Sequence, residues 1–185
     1  KSRACSIVCL KMAFDFLLQQ SETISNPSNS KSDFGTQIDA DELFKESEEI
    51  QQSLLSKKLI SEEQAKNGRT HDTLVFLTHN HGLPAYKEEF KSLNLEFSEK
   101  MFEFGISKIS KSIENEKPVL VSVLPGLSEG KSFHTILIVG TQKENEKITG
   151  FYYHDPDAKN ERLENQFLNL ENFKKFWRRL TIFVG

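Results

Sequence analysis

The chain has 185 residues, with 24 Lys and Arg against 27 Asp and Glu and 37% hydrophobic residues. That length suits one domain with a core of its own, needing no metal or disulfide to hold it. The net charge of −3 is spread along the whole chain, which leaves no broad basic surface for nucleic acid or anionic lipid, and no apolar run approaches the roughly 18 residues that span a bilayer.

A core helix is expected from near Ala4, because Cys5, Val8, Cys9, Met12, Phe16 and Leu17 recur at helical spacing up to Leu18 with no Gly or Pro between them. Cys5 and Cys9 then stand one turn apart, with Cβ atoms roughly 5–6 Å from each other. That is too far for an unstrained disulfide, so both are expected as free thiols. Residues 21–35 are dense in Ser, Asn, Pro and Lys and read as a mobile surface loop, the start of a polar insertion around 21–68. Inside the insertion, 39–55 and 61–67 read as two surface helices. The second has a capping box over Ser61, Glu62, Glu63 and Gln64, and Gly68 closes the pair.

Residues 72–80 read as an amphipathic helix that turns Leu74, Val75, Leu77 and Thr78 inward and closes on His81 and Gly82; a further helix is expected over 106–115. From Pro118 onward the chain becomes β-branched and aromatic. Strands are expected at 118–124, 133–140, 148–155 and 180–184, with a short helix over 170–177 before the last. Helices first and an antiparallel sheet after make an α+β arrangement in one domain over 1–185. Phe90, Phe97, Phe102 and Phe104 are expected as core and groove lining, since their spacing suggests no stacking platform for bases.

Three positions carry chemistry. Cys5 falls in the first turn of the core helix, where unpaired N–H groups and the positive end of the helix dipole favour a thiolate; Cys9, a turn deeper, lacks that setting. His134 opens a nearly continuous apolar strand, and the next strand ends at Asp155-Pro156. A hairpin centred on Glu144 and Asn145 would set 134 opposite 155, with Cβ atoms about 4.5–5.5 Å apart, so that the carboxylate holds the ring and fixes its tautomer. Pro156 stops the strand directly after that carboxylate. Singly, each has a plainer explanation: a buried small hydrophobe for Cys5, a satisfied edge histidine for His134, and an ordinary turn for Asp155-Pro156-Asp157. Together they supply nucleophile, general base and orienting acid.

At these places the sequence resembles the papain-like superfamily, in its bacteriocin (double-glycine) leader peptidase-like branch, over most of the chain. Cys5-Ser6-Ile7-Val8-Cys9-Leu10-Lys11-Met12 looks like that family's nucleophile helix, with Ser6 and Ile7 in place of its usual Gly-Pro. The run from Lys117-Pro118 to Val123, then Phe133-His134 and 136–140, is similar to its Pro-Val strand, histidine and following strand, and Tyr153-His154-Asp155-Pro156 to the closing Asp-Pro. The resemblance implies a papain-like peptidase fold, catalytic residues Cys5, His134 and Asp155, and a peptide or protein substrate. It also implies an oxyanion hole built from the nucleophile's N–H and a glutamine several residues upstream. Only four residues precede Cys5 and none is glutamine, so activity on this account depends on an oxyanion-hole residue outside these 185. The polar insertion favours a stand-alone member over a transporter fragment, and Arg69-Thr70-His71-Asp72 either brings His71 near the cleft or caps a helix through Thr70 or Asp72.

The leading expectation is a cysteine peptidase or related thiol hydrolase acting through a thioester. An acyltransferase with the same triad and a catalytically inactive domain that binds peptides stay open beside it. No cofactor and no metal enter this account: a zinc site from Cys5, Cys9, His71, His79 and His81 lacks the paired spacing that zinc prefers. Because the first residue is Lys1, cytoplasmic and exported locations both stay open.

Overall fold

Helix starts in this chain are fixed by side chains that accept the first free amides. Asp39 accepts from the amide of Asp41, Thr70 from Thr73, Asn94 from Glu96 and Asn169 from Asn172, each replacing a carbonyl that the first helical turn lacks. The computed structural model describes residues 4–24, 38–66, 68–127, 133–158 and 164–185. In chain order the elements are α1 (Cys5–Ile24), α2 (Ala40–Ser56), α3 (Glu62–Lys66), α4 (His71–Asn80), β1 (Ala85–Glu89), α5 (Leu95–Glu114), β2 (Val119–Val123), β3 (His134–Glu144), β4 (Lys147–His154), β5 (Gln166–Asn169), α6 (Leu170–Phe176) and β6 (Trp177–Val184). The predicted capping box forms at α3: Ser61 Oγ accepts from the amide of Gln64 at 3.2 Å, and Gln64 Oε1 accepts from the amide of Ser61 at 2.8 Å.

The six strands form one antiparallel sheet in the order β1-β6-β2-β3-β4-β5. Side chains alternate across it. Val119, Val121 and Val123 join Ile136, Ile138 and Phe151 on one face, covered by Phe102, Ile106 and Ile109 of α5 and Phe173 of α6. Leu120, Leu137, Ile182 and Val184 face the other way, against Ile7, Leu10 and Phe14 of α1, Leu43 of α2, and Leu74 and Leu77 of α4. Coverage on both faces explains why β2 is apolar at every position except Ser122. Leu10 and Phe14 are completely buried, which stabilises the seating of α1 on the sheet by about 1.5–3 kcal/mol each.

Several boundaries differ from expectation. Helix α1 continues to Ile24, taking the first residues of the expected 21–35 loop, while residues 25–35 lie outside the described residues. Helix α5 starts at Leu95 rather than 106, because the Asn94 cap defines its beginning while Leu95, Phe97 and Phe104 are exposed and dilute the apolar stripe. Phe97 and Phe104 are therefore surface residues rather than core. Strands β1 and β5 were not expected: both lie at sheet edges, β1 is largely Lys and Glu, and β5 has 4 residues. Strand β6 begins at Trp177, ahead of the expected 180, around an irregularity opposite β2 and a left-handed Arg179 at φ 62°.

The hairpin register also needs correction. Asn145 and Glu146 both adopt positive φ, 48° and 64°, and form a two-residue turn with Glu144 opposite Lys147. The turn is therefore centred one residue later than expected, which moves the cross-strand partner by two at Glu144, Lys143, Ile138 and Leu137 and by three between the two irregularities, from Gln142 to Gly140. Leu137 faces His154, strand β4 ends there, and 134 is not paired with 155.

Candidate active site

Cys5 is the first residue of α1, and the amide of Val8 donates to Ala4 O at 2.9 Å, so the helical ladder starts at the Ala4 carbonyl. The helix thus presents its positive end beside the thiol. His134 is the first residue of β3 and lies opposite Val123 of β2. Asp155 follows the last residue of β4, in a turn held by the Ala158 amide donating to Asp155 O at 3.2 Å and the Asp157 amide donating to Asp155 Oδ1 at 2.9 Å. This is the Asx turn that an Asp-Pro-Asp sequence favours. Exposures of 7% for Cys5, 5% for His134 and 2% for Asp155 put all three inside the fold, where unpaired charge is costly.

The structure brings these three side chains together around the imidazole. His134 Nε2 is 2.5 Å from Asp155 Oδ1; an ionised carboxylate only accepts, so Nε2 carries the proton of that bond. A nitrogen of His134, Cys5 Sγ and a carboxylate oxygen of Asp157 all lie within 4.8 Å of one another, and on the ring's other side His134 Nδ1 is 3.4 Å from Asp157 Oδ2. Burial alone would lower the pKa of His134. The Asp155 hydrogen bond and the contact and charge of Cys5 outweigh it and raise the value to about 10, which favours the imidazolium. Burial pushes the Cys9 thiol well above its ordinary value, and the charges of Cys5, Asp155 and Asp157 add to this. Cys9 donates to Thr135 O at 3.3 Å and acts as a packed, neutral thiol.

The register that suggested the His134 and Asp155 pair is wrong, yet the pair forms. Extended past His154, the true register would set 157 opposite 134 and 155 on the diagonal, and the two carboxylates reach different ring nitrogens. Asp157 is the site residue that sequence reasoning missed. The period-two spacing of Asp155 and Asp157 was the available signal, hidden because Asp-Pro-Asp also reads as a plain turn. Thr70 caps α4, as one of the two expectations had it. His71 stands apart from the thiol's group: its Nε2 is 2.6 Å from Ser122 Oγ on β2, and it lines an open cavity of about 440 Å³ with Lys87, Phe133 and Arg178. Burial first, then the Arg178 and Lys87 charges, lower the His71 pKa to about 4. His79 Nε2 meets Ala85 O at 2.8 Å and His81 Nε2 meets Glu46 at 2.9 Å, so the five residues weighed for zinc do not gather. No helix among the described residues is long and apolar enough to cross a membrane.

Residues 1–182 match the model of the Peptidase_C39 like family. No curated protein matches the sequence. Among solved structures, the peptidase domain of Streptococcus ComA, a bi-functional ABC transporter involved in a quorum-sensing pathway, is similar with TM-score 0.55 and 14% identity over 100% of this chain and 93% of that one. A putative C39-like peptidase from Bacillus anthracis is similar with TM-score 0.57 and 14% identity, covering 99% of this chain and 89% of that one. At these identities the likeness is one of fold: helices packed on an antiparallel sheet in the papain-like manner.

Proposed function

The chain belongs to the Peptidase_C39 like family, and from that premise we propose that it is a cysteine peptidase whose nucleophile is Cys5, whose general base is His134 and whose orienting acid is Asp155. One observation carries the assignment: His134 Nε2 is held by buried Asp155 at 2.5 Å while a nitrogen of the same ring lies within 4.8 Å of Cys5 Sγ at the start of α1. His134 takes the thiol proton, and the sulfur attacks the carbonyl carbon of a peptide bond. The tetrahedral oxyanion is met by the Cys5 amide at the helix start. His134 then gives its proton to the leaving amine, which leaves a thioester on Cys5, and water attacks it with His134 again as base. Asp155 keeps the ring in the tautomer that exposes Nδ1 to the sulfur. Hydrolysis is favoured over transfer because family membership points to a peptidase, and residues 1–185 are read as one peptidase domain.

The test is site-resolved alkylation at pH 7. Iodoacetamide is expected to label Cys5 much faster than Cys9, with a His134→Asn substitution slowing Cys5 by about tenfold or more, as expected for a thiol activated by a neighbouring imidazole. Equal labelling of both cysteines, indifferent to His134→Asn, would sink the assignment.

A further inference from the structure

We propose that Cys5, His134 and Asp157 form a binding site for one zinc ion, and that zinc held there switches the thiol off reversibly. Sulfur, imidazole nitrogen and carboxylate oxygen are the donors that zinc takes in sites with three protein ligands, where the fourth position is left to water. Among the described residues, these three form the one group of His, Cys, Asp and Glu whose donor atoms converge in this way. The separations suit the ion. Two ligands at about 2.0–2.1 Å from a tetrahedral zinc stand about 3.3 Å apart, and His134 Nδ1 and Asp157 Oδ2 are already 3.4 Å apart. A zinc-bound sulfur, at about 2.3 Å from the metal, would lie about 3.6 Å from either, and all three donors here lie within 4.8 Å. A shift of about 1 Å closes the site.

The ring is prepared for a metal. His134 is 5% exposed, and its buried Nδ1 meets no nitrogen or oxygen in hydrogen-bonding geometry among the described residues. Its Nε2 is fixed on Asp155, and the Asp157 amide fixes Asp155 in turn. A carboxylate on the far nitrogen is how metal-bound imidazoles are oriented and made better donors. Asp157, whose side chain is 33% exposed, leaves a route from solvent to the metal position. Its carboxylate has no part in the thiol chemistry proposed above, yet it faces the sulfur beside the ring, and a divalent cation between two groups that ionise to negative charge neutralises both. Binding replaces the single proton that Cys5 and Nδ1 hold between them: sulfur and nitrogen each bond zinc, and one proton leaves to solvent. Switching rests on Cys5 being the nucleophile; binding does not.

The experiment uses the whole chain freed of metal with a chelator. Zinc titrated calorimetrically in two buffers of different ionisation enthalpy is expected to bind one equivalent and release one proton. Cobalt(II) in its place is expected to give thiolate-to-metal charge-transfer absorption that Cys5→Ala abolishes and Cys9→Ala retains. Asp157→Asn keeps the side chain's shape at an exposed position, so its melting curve should match the parent while zinc binds about tenfold or more weakly. Inhibition of peptide cleavage by zinc, relieved by chelator, should weaken by the same factor. The proposal is overturned by absence of zinc binding, by a cobalt band that follows Cys9, or by equal affinity in Asp157→Asn. A cobalt band on Cys5 in a protein that cleaves no peptide would uphold the metal site and defeat the catalytic assignment; cleavage without zinc binding would do the reverse.

Discussion

Asp155 Oδ1 accepts from two donors, the His134 ring and the Asp157 amide. A group so committed does more than sit in a turn, because removing its charge leaves the shape and takes away one of the two partners, Asp155 and Cys5, that raise the ring's pKa. Asp155→Asn is therefore predicted to lower peptide cleavage by about 10²- to 10⁴-fold, the usual contribution of positioned proton transfer. In the same variant the His134 titration, followed by NMR of the imidazole, should move down from about 10; an unchanged titration would mean that Asp155 does not set it. Cys5, His134 and Asp155 were legible in the sequence because each lies at an element boundary that leaves a mark: an uninterrupted helical repeat, the first residue of an apolar run, and a carboxylate followed by Pro156. Asp157 left no such mark. Its approach to Nδ1 depends on a register set by positive φ at Asn145 and Glu146, and a Glu in that conformation is not something its sequence signals.

Packing between elements is tightest where glycine permits it. A Cβ on Gly105 of α5 would come within 2.5 Å of Trp177 Cη2 and 2.8 Å of Phe90 Cγ, both in buried rings. Gly105→Ala should therefore destabilise the fold, since an overpacking cost of about 1–3 kcal/mol exceeds the gain of about 1 kcal/mol from helix propensity. A lower urea midpoint with unchanged slope would register it; a higher midpoint would show that the rings yield. Gly150 on β4 is harder to replace, because there the Cβ would meet the backbone carbonyl of Leu168 at 2.5 Å on the neighbouring strand β5. At α4, Thr70→Ala removes the side chain that accepts from Thr73 N at 3.2 Å, and a loss of about 1 kcal/mol is expected in the same urea measurement. Elements with a strong apolar period, such as α4 and β2 to β4, were readable. Edge strand β1 and the first turns of α5 were not: β1 is largely polar and only its pairing with β6 defines it, while α5 opens at the Asn94 cap with apolar residues that are exposed.

At the scale of the whole molecule, two histidines with opposite shifts tie helices to the sheet's centre and make stability depend on pH from both sides. His134 is raised to about 10, so the folded state holds its proton more tightly than an unfolded chain with a pKa of about 6.5. Its contribution is complete below about 6.5 and is lost as pH rises through about 10. His71, bonded to Ser122 of β2 from the start of α4, is lowered to about 4. There the unfolded chain binds a proton that the fold refuses, so stability is lost as pH falls from about 6.5 towards 4. The two contributions overlap best near pH 6.5. Urea unfolding followed from pH 4 to 10 should show each limb disappear separately: the difference between parent and His71→Gln protein should change with pH only on the acid side, and the difference for His134→Asn only on the alkaline side. Parallel curves for parent and His71→Gln below pH 6 would mean that the ring near Ser122 takes up its proton in the folded state as readily as in the unfolded one.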